Sequence, residues 1–146
     1  MPETLKIDGK MNVHIISPTH TILDGVADKI LLPTIMGNMM ILKNRAPLFI
    51  LTQAGLMWVY NQGQRPQAYY ISGGIAEIRR DICSILAWGI DANKIDKNKI
   101  HERRLIWEEE LTKIHSDAQR QQVQERIDFF KMLETKPSLL VAPNFE

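Results

Sequence analysis

Cysteine is almost missing from this sequence: Cys83 is the one thiol in 146 residues. A lone thiol closes no intrachain disulfide and builds no cysteine-rich zinc site. Its neighbours Ile82, Ile85 and Leu86 read as a packed strand, so Cys83 is expected to be a small core filler and not a nucleophile. Net charge is nearly missing too. The 18 Lys and Arg stand against 17 Asp and Glu, a formal +1. A nucleic-acid binder concentrates a basic excess on one face, and a polybasic membrane patch requires the same excess. Neither partner is expected. No stretch approaches the roughly 18 apolar residues of a membrane span, and Met1 to Lys10 lack the apolar run of a secretory signal. The expectation is a soluble chain without direct membrane insertion, reaching any membrane through a partner.

Catalytic constellations are also missing. His101-Glu102-Arg103-Arg104-Leu105 begins like the zinc-protease helix motif, but that chemistry needs a second imidazole one turn on, where Leu105 stands. Gly9-Lys10-Met11 lacks the upstream glycine and the hydroxyl of a phosphate loop. His14, His20, His101 and His115 show no ligand spacing. Ser72 precedes a glycine pair without the flanking pattern of a nucleophile elbow and reads as a strand-end hydroxyl. Glu108-Glu109-Glu110 reads as a solvated helical face. No catalytic residue, metal or cofactor is expected.

What is present is a chain of globular composition, 45% hydrophobic and 24% charged, with core material for one domain or two small ones. Met11-Asn12-Val13-His14-Ile15 alternates as a half-buried strand does. Val26 to Leu32 follows a turn signal at Asp24-Gly25 and stops at Pro33. Met39 to Leu42, Leu56 to Tyr60 and Gln67 to Ile71 are further short runs, the last two joined by an Asn61-Gln62-Gly63-Gln64 turn. Gly73-Gly74 suits a bend or bulge, and Ile75 to Ile78 with Ile82 to Leu86 form a last hairpin around Arg79-Arg80-Asp81. Short strands at this spacing predict an antiparallel sandwich over residues 11–92.

After Gly89 glycine vanishes, and no proline appears until Pro137. Helix formers dominate. Ile100, Trp107, Leu111 and Ile114 share one stripe; Val123, Ile127 and Phe130 share a second. His115-Ser116-Asp117 interrupts them, and Ser116 with Gln119 is a capping-box signature. An antiparallel helical hairpin is expected over 93–134, after a polar extension over 1–10 and before an irregular tail over 135–146. The fold class is α+β.

Three segments in order carry a resemblance. The first is Ser17-Pro18, then Leu23-Asp24-Gly25-Val26-Ala27. The second is Leu32-Pro33-Thr34, Gly37, then Met40-Ile41-Leu42-Lys43-Asn44-Arg45-Ala46-Pro47-Leu48. The third is Ile71-Ser72-Gly73-Gly74-Ile75-Ala76-Glu77-Ile78, then Ile85-Leu86-Ala87. Together, over about Met11 to Ala92, they resemble the epsilon subunit of F-type ATP synthases, called delta in mitochondria. The resemblance implies a non-catalytic rotor subunit. Its sandwich would grip the gamma subunit and rest on the membrane rotor ring of c subunits. Its hairpin would pack on the sandwich or extend toward the alpha and beta catalytic subunits to restrain hydrolysis. It implies a peripheral position on the cytoplasmic face of a bacterial membrane, or the equivalent face of an organelle inner membrane. By that resemblance Thr34, Ile35, Met36, Gly37, Asn38 and Met39 face the ring, Ser72, Gly73 and Gly74 lie near gamma, and Arg45 belongs to the partner interface.

The sequence also departs from the family. Arg45 stands where the family usually has histidine, and Asn38 where the ring-facing loop often has an acid. Ile95 and Asp96 match the start of the ATP motif some members carry, but Lys99 replaces its arginine and Ile100 its alanine. Lysine lacks the planar fork of donors, so ATP is expected to bind weakly or not at all.

A second reading of the residues alone is a free-standing sandwich that binds a small ligand, with a helical appendage. That reading needs a pocket of converging polar groups. A coupling subunit needs an exposed apolar patch at Met36, Met39 and Met40 and along one sandwich face. A third reading, an enzyme with its site assembled from separate strands, is ranked below both. Lacking a phosphate loop, the purified chain should turn over no ATP. ATP turnover that follows the chain through purification and vanishes on a point substitution in it would overturn that expectation.

Overall fold

The computed structural model describes residues 9–135 and 140–143. The expected extension over 1–10 therefore lies mostly outside the described residues, as do 136–139 and 144–146 of the expected tail. The strands are β1 (Met11–Ile16), β2 (Thr21–Ala27), β3 (Lys29–Thr34), β4 (Gly37–Leu42), β5 (Leu48–Thr52), β6 (Gly55–Tyr60), β7 (Gln67–Ile71), β8 (Gly74–Arg79), β9 (Ile82–Leu86) and β10 (Gly89–Asp91). A 3-10 turn at Ala92–Lys94 leads to α1 (Lys97–Lys113) and α2 (Asp117–Glu134). Two compact units result, meeting between Asn93 and Lys94, with Ala142 and Pro143 assigned to the first.

In the first unit the strands form one hydrogen-bonded path, β10-β7-β6-β3-β5-β8-β9-β1-β2, with β4 also on β3. Core side chains come from both ends of it. Val13 and Ile15 of β1, Leu32 of β3, Met57 of β6, Ile71 of β7 and Ile85 of β9 share one buried cluster. The path therefore folds over on itself into two layers, the sandwich that the strand spacing predicts. One pairing differs from an all-antiparallel sheet: β1 and β9 run parallel, from Asn12↔Ile82 to Ile16↔Leu86. No hairpin joins these two strands, so nothing local sets their direction.

Two local signals are overruled by long-range pairing. Asp24-Gly25 is not a turn but mid-strand in β2, with Asp24 opposite His14 and Gly25 opposite Val13. Pairing across a sheet outweighs local turn preference. The break comes at Asp28, the single residue between β2 and β3. Pro33 does not end its strand either. β3 pairs with β6 as far as Leu31 and with β5 at Thr34, so Pro33 sits at the handover between partners, where its missing N–H breaks no ladder bond. Its carbonyl accepts from Gln53 N at 3.1 Å.

Two strands carry no signal that the periodicity marks. Leu48-Phe49-Ile50-Leu51 in β5 is apolar throughout, and β10 is three residues long. The β8–β9 hairpin follows its expected turn, with Arg80 and Asp81 at φ 52° and 59°. Positive φ at both central residues matches the right-handed twist of the strands. Asp81 secures that turn by accepting from Asn44 N at 2.7 Å.

In the second unit Asp96 caps α1, its carboxylate accepting from Asn98 N at 3.0 Å and Lys99 N at 3.3 Å. These are two of the helix's orphan donors. Ser116 occupies the cap position of α2 but its side chain makes no capping bond; it is exposed, and water satisfies such an end. The capping box is therefore not formed. Arg120 instead reaches back to the Leu111 and Ile114 carbonyls at 3.1 and 3.0 Å, satisfying the end of α1. At the other end of the hairpin Arg104 Nε lies 3.1 Å from both Glu134 oxygens, and Arg104 Nη1 lies 2.8 Å from Glu108. Those Arg104 bonds hold the Glu134 carboxyl below its ordinary range. Arg126 stacks on Trp107 at 4.4 Å. Of the two expected stripes Ile100 and Ile127 are buried, joined by Phe129 and Leu133, which the spacing did not single out.

Gly74 is held by close approach and not by a bend. A Cβ there would fall on the Leu86 carbonyl oxygen and 2.9 Å from Ala87 Cβ, whereas one on Gly73 meets nothing nearer than 3.5 Å. Gly74→Ala should therefore destabilise the chain by about 3 kcal/mol, the overpacking range, and Gly73→Ala by no more than ~0.5 kcal/mol. Urea titration of both variants checks this; equal midpoints would refute it.

Candidate functional site

The β3–β4 hairpin turns over two residues, Ile35 and Met36, between the paired Thr34 and Gly37. Buried Thr34 builds the turn: its hydroxyl donates to Gly37 O at 2.6 Å and accepts from Met36 N at 3.1 Å. Gly37 takes φ 98°, a conformation glycine adopts without strain. With the backbone tied inward, Ile35 and Met36 are left outside. Asn38 is exposed, and Met39 and Met40 are half-buried.

Residues 34–36 and 72–74 are far apart in sequence, and β5 brings them together. Thr34 pairs with Thr52, and Thr52 pairs with Gly74. The buried Thr52 hydroxyl donates to Ser72 O at 3.3 Å, and Ile35 N donates to Leu51 O at 3.2 Å. The tip and the Ser72-Gly73-Gly74 segment therefore lie along one sheet region. On its outer face Leu51, Ile75, Leu86 and Ile16 follow one another across β5, β8, β9 and β1. Phe49 lies two residues from Leu51, on the same side of the pleat. Exposure is 60% for Ile35, 81% for Met36, 68% for Phe49, 49% for Leu51 and 53% for Leu86. Single exposed apolar side chains are ordinary, but a contiguous row is not. Phe49, Leu51 and Leu86 carry no mark of exposure in the sequence. An unbroken apolar run marks no face, and the available signal was only that β5 is apolar at both parities.

Beside the row lies a cleft of about 350 Å³, walled by Ile16, Pro18, Ser72, Gly73, Leu86 and Trp88. The Ser72 hydroxyl is occupied, accepting from Trp88 N at 2.9 Å and donating to Gly73 O at 3.2 Å. A second cleft of about 350 Å³ lies by the tip, between Pro33, Gly37, Asn38, Leu56, Trp58 and Pro143. Neither is lined by an ionisable side chain. Burial pushes the Cys83 thiol up to about 12, so it stays protonated at neutral pH. Among the described residues no three His, Cys, Asp or Glu group to hold a metal.

Arg45 lies between β4 and β5, half-buried, with Nη2 3.7 Å from Met39 Sδ. The structure thus places Thr34 to Met39, Arg45 and Ser72 to Gly74 in the same unit. Ile95, Asp96 and Lys99 belong to the second unit, in the link after the 3-10 turn and the first turn of α1.

Comparison with known proteins adds findings of three kinds. The description "ATP synthase, Delta/Epsilon chain, beta-sandwich domain" matches residues 10–91. The ATP synthase epsilon chain of Granulibacter bethesdensis is 33% identical over 76 residues, 52% of this chain and 56% of that one. The epsilon chain of a Nostoc species is 32% identical over 106 residues, 72% of this chain and 76% of that one. The chain thus spans about half of the first relative and three quarters of the second. Among solved structures, a chain of the Euglena gracilis mitochondrial ATP synthase aligns with TM-score 0.60 and 20% identity, covering 92% of this chain and 88% of that one, a likeness of fold.

The Asp96 carboxylate is already engaged as a helix cap. Asp96→Ala should lower stability by about 1 kcal/mol, the cost of a lost N-cap, without changing nucleotide affinity. Calorimetry should find no ATP heat at micromolar concentrations in either form. Micromolar binding that disappears in the variant would assign Asp96 to a nucleotide site instead.

Proposed function

The chain belongs to the ATP synthase delta/epsilon family, and from that premise we propose that it is a non-catalytic subunit of the central stalk, joining the gamma subunit to the membrane rotor ring for ATP synthesis driven by an ion gradient. The observation that carries this reading is the continuous apolar face from Ile35 and Met36 at the tip to Phe49, Leu51 and Leu86 along the sheet. The tip meets the ring of c subunits, and the row with the Ser72-Gly73 cleft meets gamma. Both contacts stand on one bonded strand region, so a displacement at the tip is passed to the gamma face through β3, β5 and β8 without a flexible joint. Close-packed interiors transmit strain in this way. Met36 suits a ring of repeated subunits, since an unbranched side chain adapts to successive surfaces.

Membrane association in this reading comes through the ring. No helix among the described residues is long and apolar enough to cross a bilayer. The subunit works on the cytoplasmic face of a bacterial membrane, or the equivalent face of an organelle inner membrane. The helical hairpin regulates ATP hydrolysis through the alpha and beta subunits. A small-ligand module is the weaker reading, because the polar groups that would converge on a ligand in the Ser72 cleft are bonded to the chain's own backbone.

The double substitution Ile35→Asp with Met36→Asp tests this. Both side chains are in water, so the isolated chain should keep its melting temperature. Rebinding to membranes stripped of the subunit, and gradient-driven ATP synthesis with it, should fall about tenfold or more, the equivalent of ~1.4 kcal/mol. A stable variant that remains fully coupled would remove the tip from the interface.

A further inference from the structure

We propose that Arg45 receives a carboxylate from the protein that docks against the β3–β4 tip, and so sets the charge that this partner carries. The inference rests on the tip being an interface.

Arg45 differs from the other well-placed arginines of the chain. Arg104 faces Glu134 and Glu108, and Arg120 donates to two carbonyls. Arg45 has neither. Among the described residues its Nε is buried with no acceptor, and its side chain bonds only through Nη2 to the Met39 thioether at 3.7 Å. A thioether is a weak acceptor. The nearby acid of the β8–β9 turn, Asp81, is engaged by Asn44 N at 2.7 Å. A buried N–H left without an acceptor is costly to keep, and a guanidinium stays charged at any working pH. The chain therefore carries a permanent, partly desolvated cation whose donors lack an oxygen partner among the described residues.

Its position gives that charge a direction. The contact with Met39, itself packed against the core cluster, holds the guanidinium beside β4, the strand that leaves the tip. The tip itself, Thr34-Ile35-Met36-Gly37-Asn38-Met39, carries no charge. Nothing on it competes for Arg45 or repels an acid. When a partner covers Ile35 and Met36, water leaves and the local dielectric falls, so an opposed charge gains and an uncharged or basic surface loses. Asp or Glu fits best, because the planar fork of donors matches a carboxylate with two parallel bonds. Arg45 thus acts as a specificity residue: apolar contact at the tip supplies adhesion, and the guanidinium rejects partners without an acid.

The test is rebinding of the full chain to synthase membranes stripped of it, titrated at low and high salt, with Arg45→Gln, Arg45→Lys and the Ile35→Asp/Met36→Asp pair. Arg45→Gln removes an unsatisfied donor, so its melting temperature should not fall, and a loss of binding then reports the interface. We expect rebinding weakened about tenfold or more at low salt with a flatter salt dependence. Arg45→Lys should keep the salt dependence and recover part of the affinity. If Arg45→Gln binds as the unmodified chain does while the tip pair is impaired, the carboxylate is refuted and the tip remains an interface. If the tip pair also binds normally, both fall. Arg45-dependent binding to protein-free vesicles containing anionic lipid would assign the anion to a headgroup and overturn the proposal.

Discussion

The sandwich depends on one narrow pairing. β5 stands between β3 and β8, and its link to β3 is the single ladder step Thr34↔Thr52. That step joins the branch β10-β7-β6-β3 to the branch β8-β9-β1-β2. It is reinforced by Ile35 N to Leu51 O, Gln53 N to Pro33 O and the Thr52 hydroxyl to Ser72 O. The Thr52–Ser72 bond is between buried residues, where an unmade bond costs the full desolvation of its group. On the far side Gly74 pairs with Thr52, and its missing side chain lets Leu86 approach. The same few residues therefore close the sheet and bring the tip beside the cleft.

Closing the sheet leaves one face without a cover. Ile50 of β5 points into the core, while Phe49 and Leu51 on either side of it point out. An isolated globule gains nothing from these exposed rings and branches. Their arrangement in a row over four strands, next to a cleft, makes a contiguous exposed apolar face, the kind of patch that marks an interaction site. The tip follows the same logic on a smaller scale. Thr34 satisfies Met36 N and Gly37 O within the turn, and the side chains of Ile35 and Met36 are left outside.

The hairpin is held differently. Its long helices are rich in charge, and Leu105 and Ile106 of α1 are exposed. Polar devices at both ends compensate: the Asp96 cap and the Arg104–Glu134–Glu108 cluster at one, Arg120 on the carbonyls of α1 at the other. His101 joins that cluster, 3.1 Å from Glu134. Interactions of this kind are individually modest at a surface. They specify how two helices align more than how firmly they adhere.

Much of this protein was written in local pattern. The alternation of Met11 to Ile15, the short apolar runs and the helix formers after Gly89 determine a sandwich followed by a helical pair, because side-chain period follows backbone geometry. Ser72-Gly73-Gly74 and Ala46-Pro47-Leu48 determine the family. Tertiary structure decided what has no period or no local cause. It chose which side of Leu48-Phe49-Ile50-Leu51 meets water, placed β1 parallel to β9, kept Asp24-Gly25 in a strand, and set Pro33 where β3 changes partners. It also left Arg45 without an acid among the described residues. Each of these is fixed by residues distant in sequence, through ladder register and burial, and no spacing within one segment encodes them.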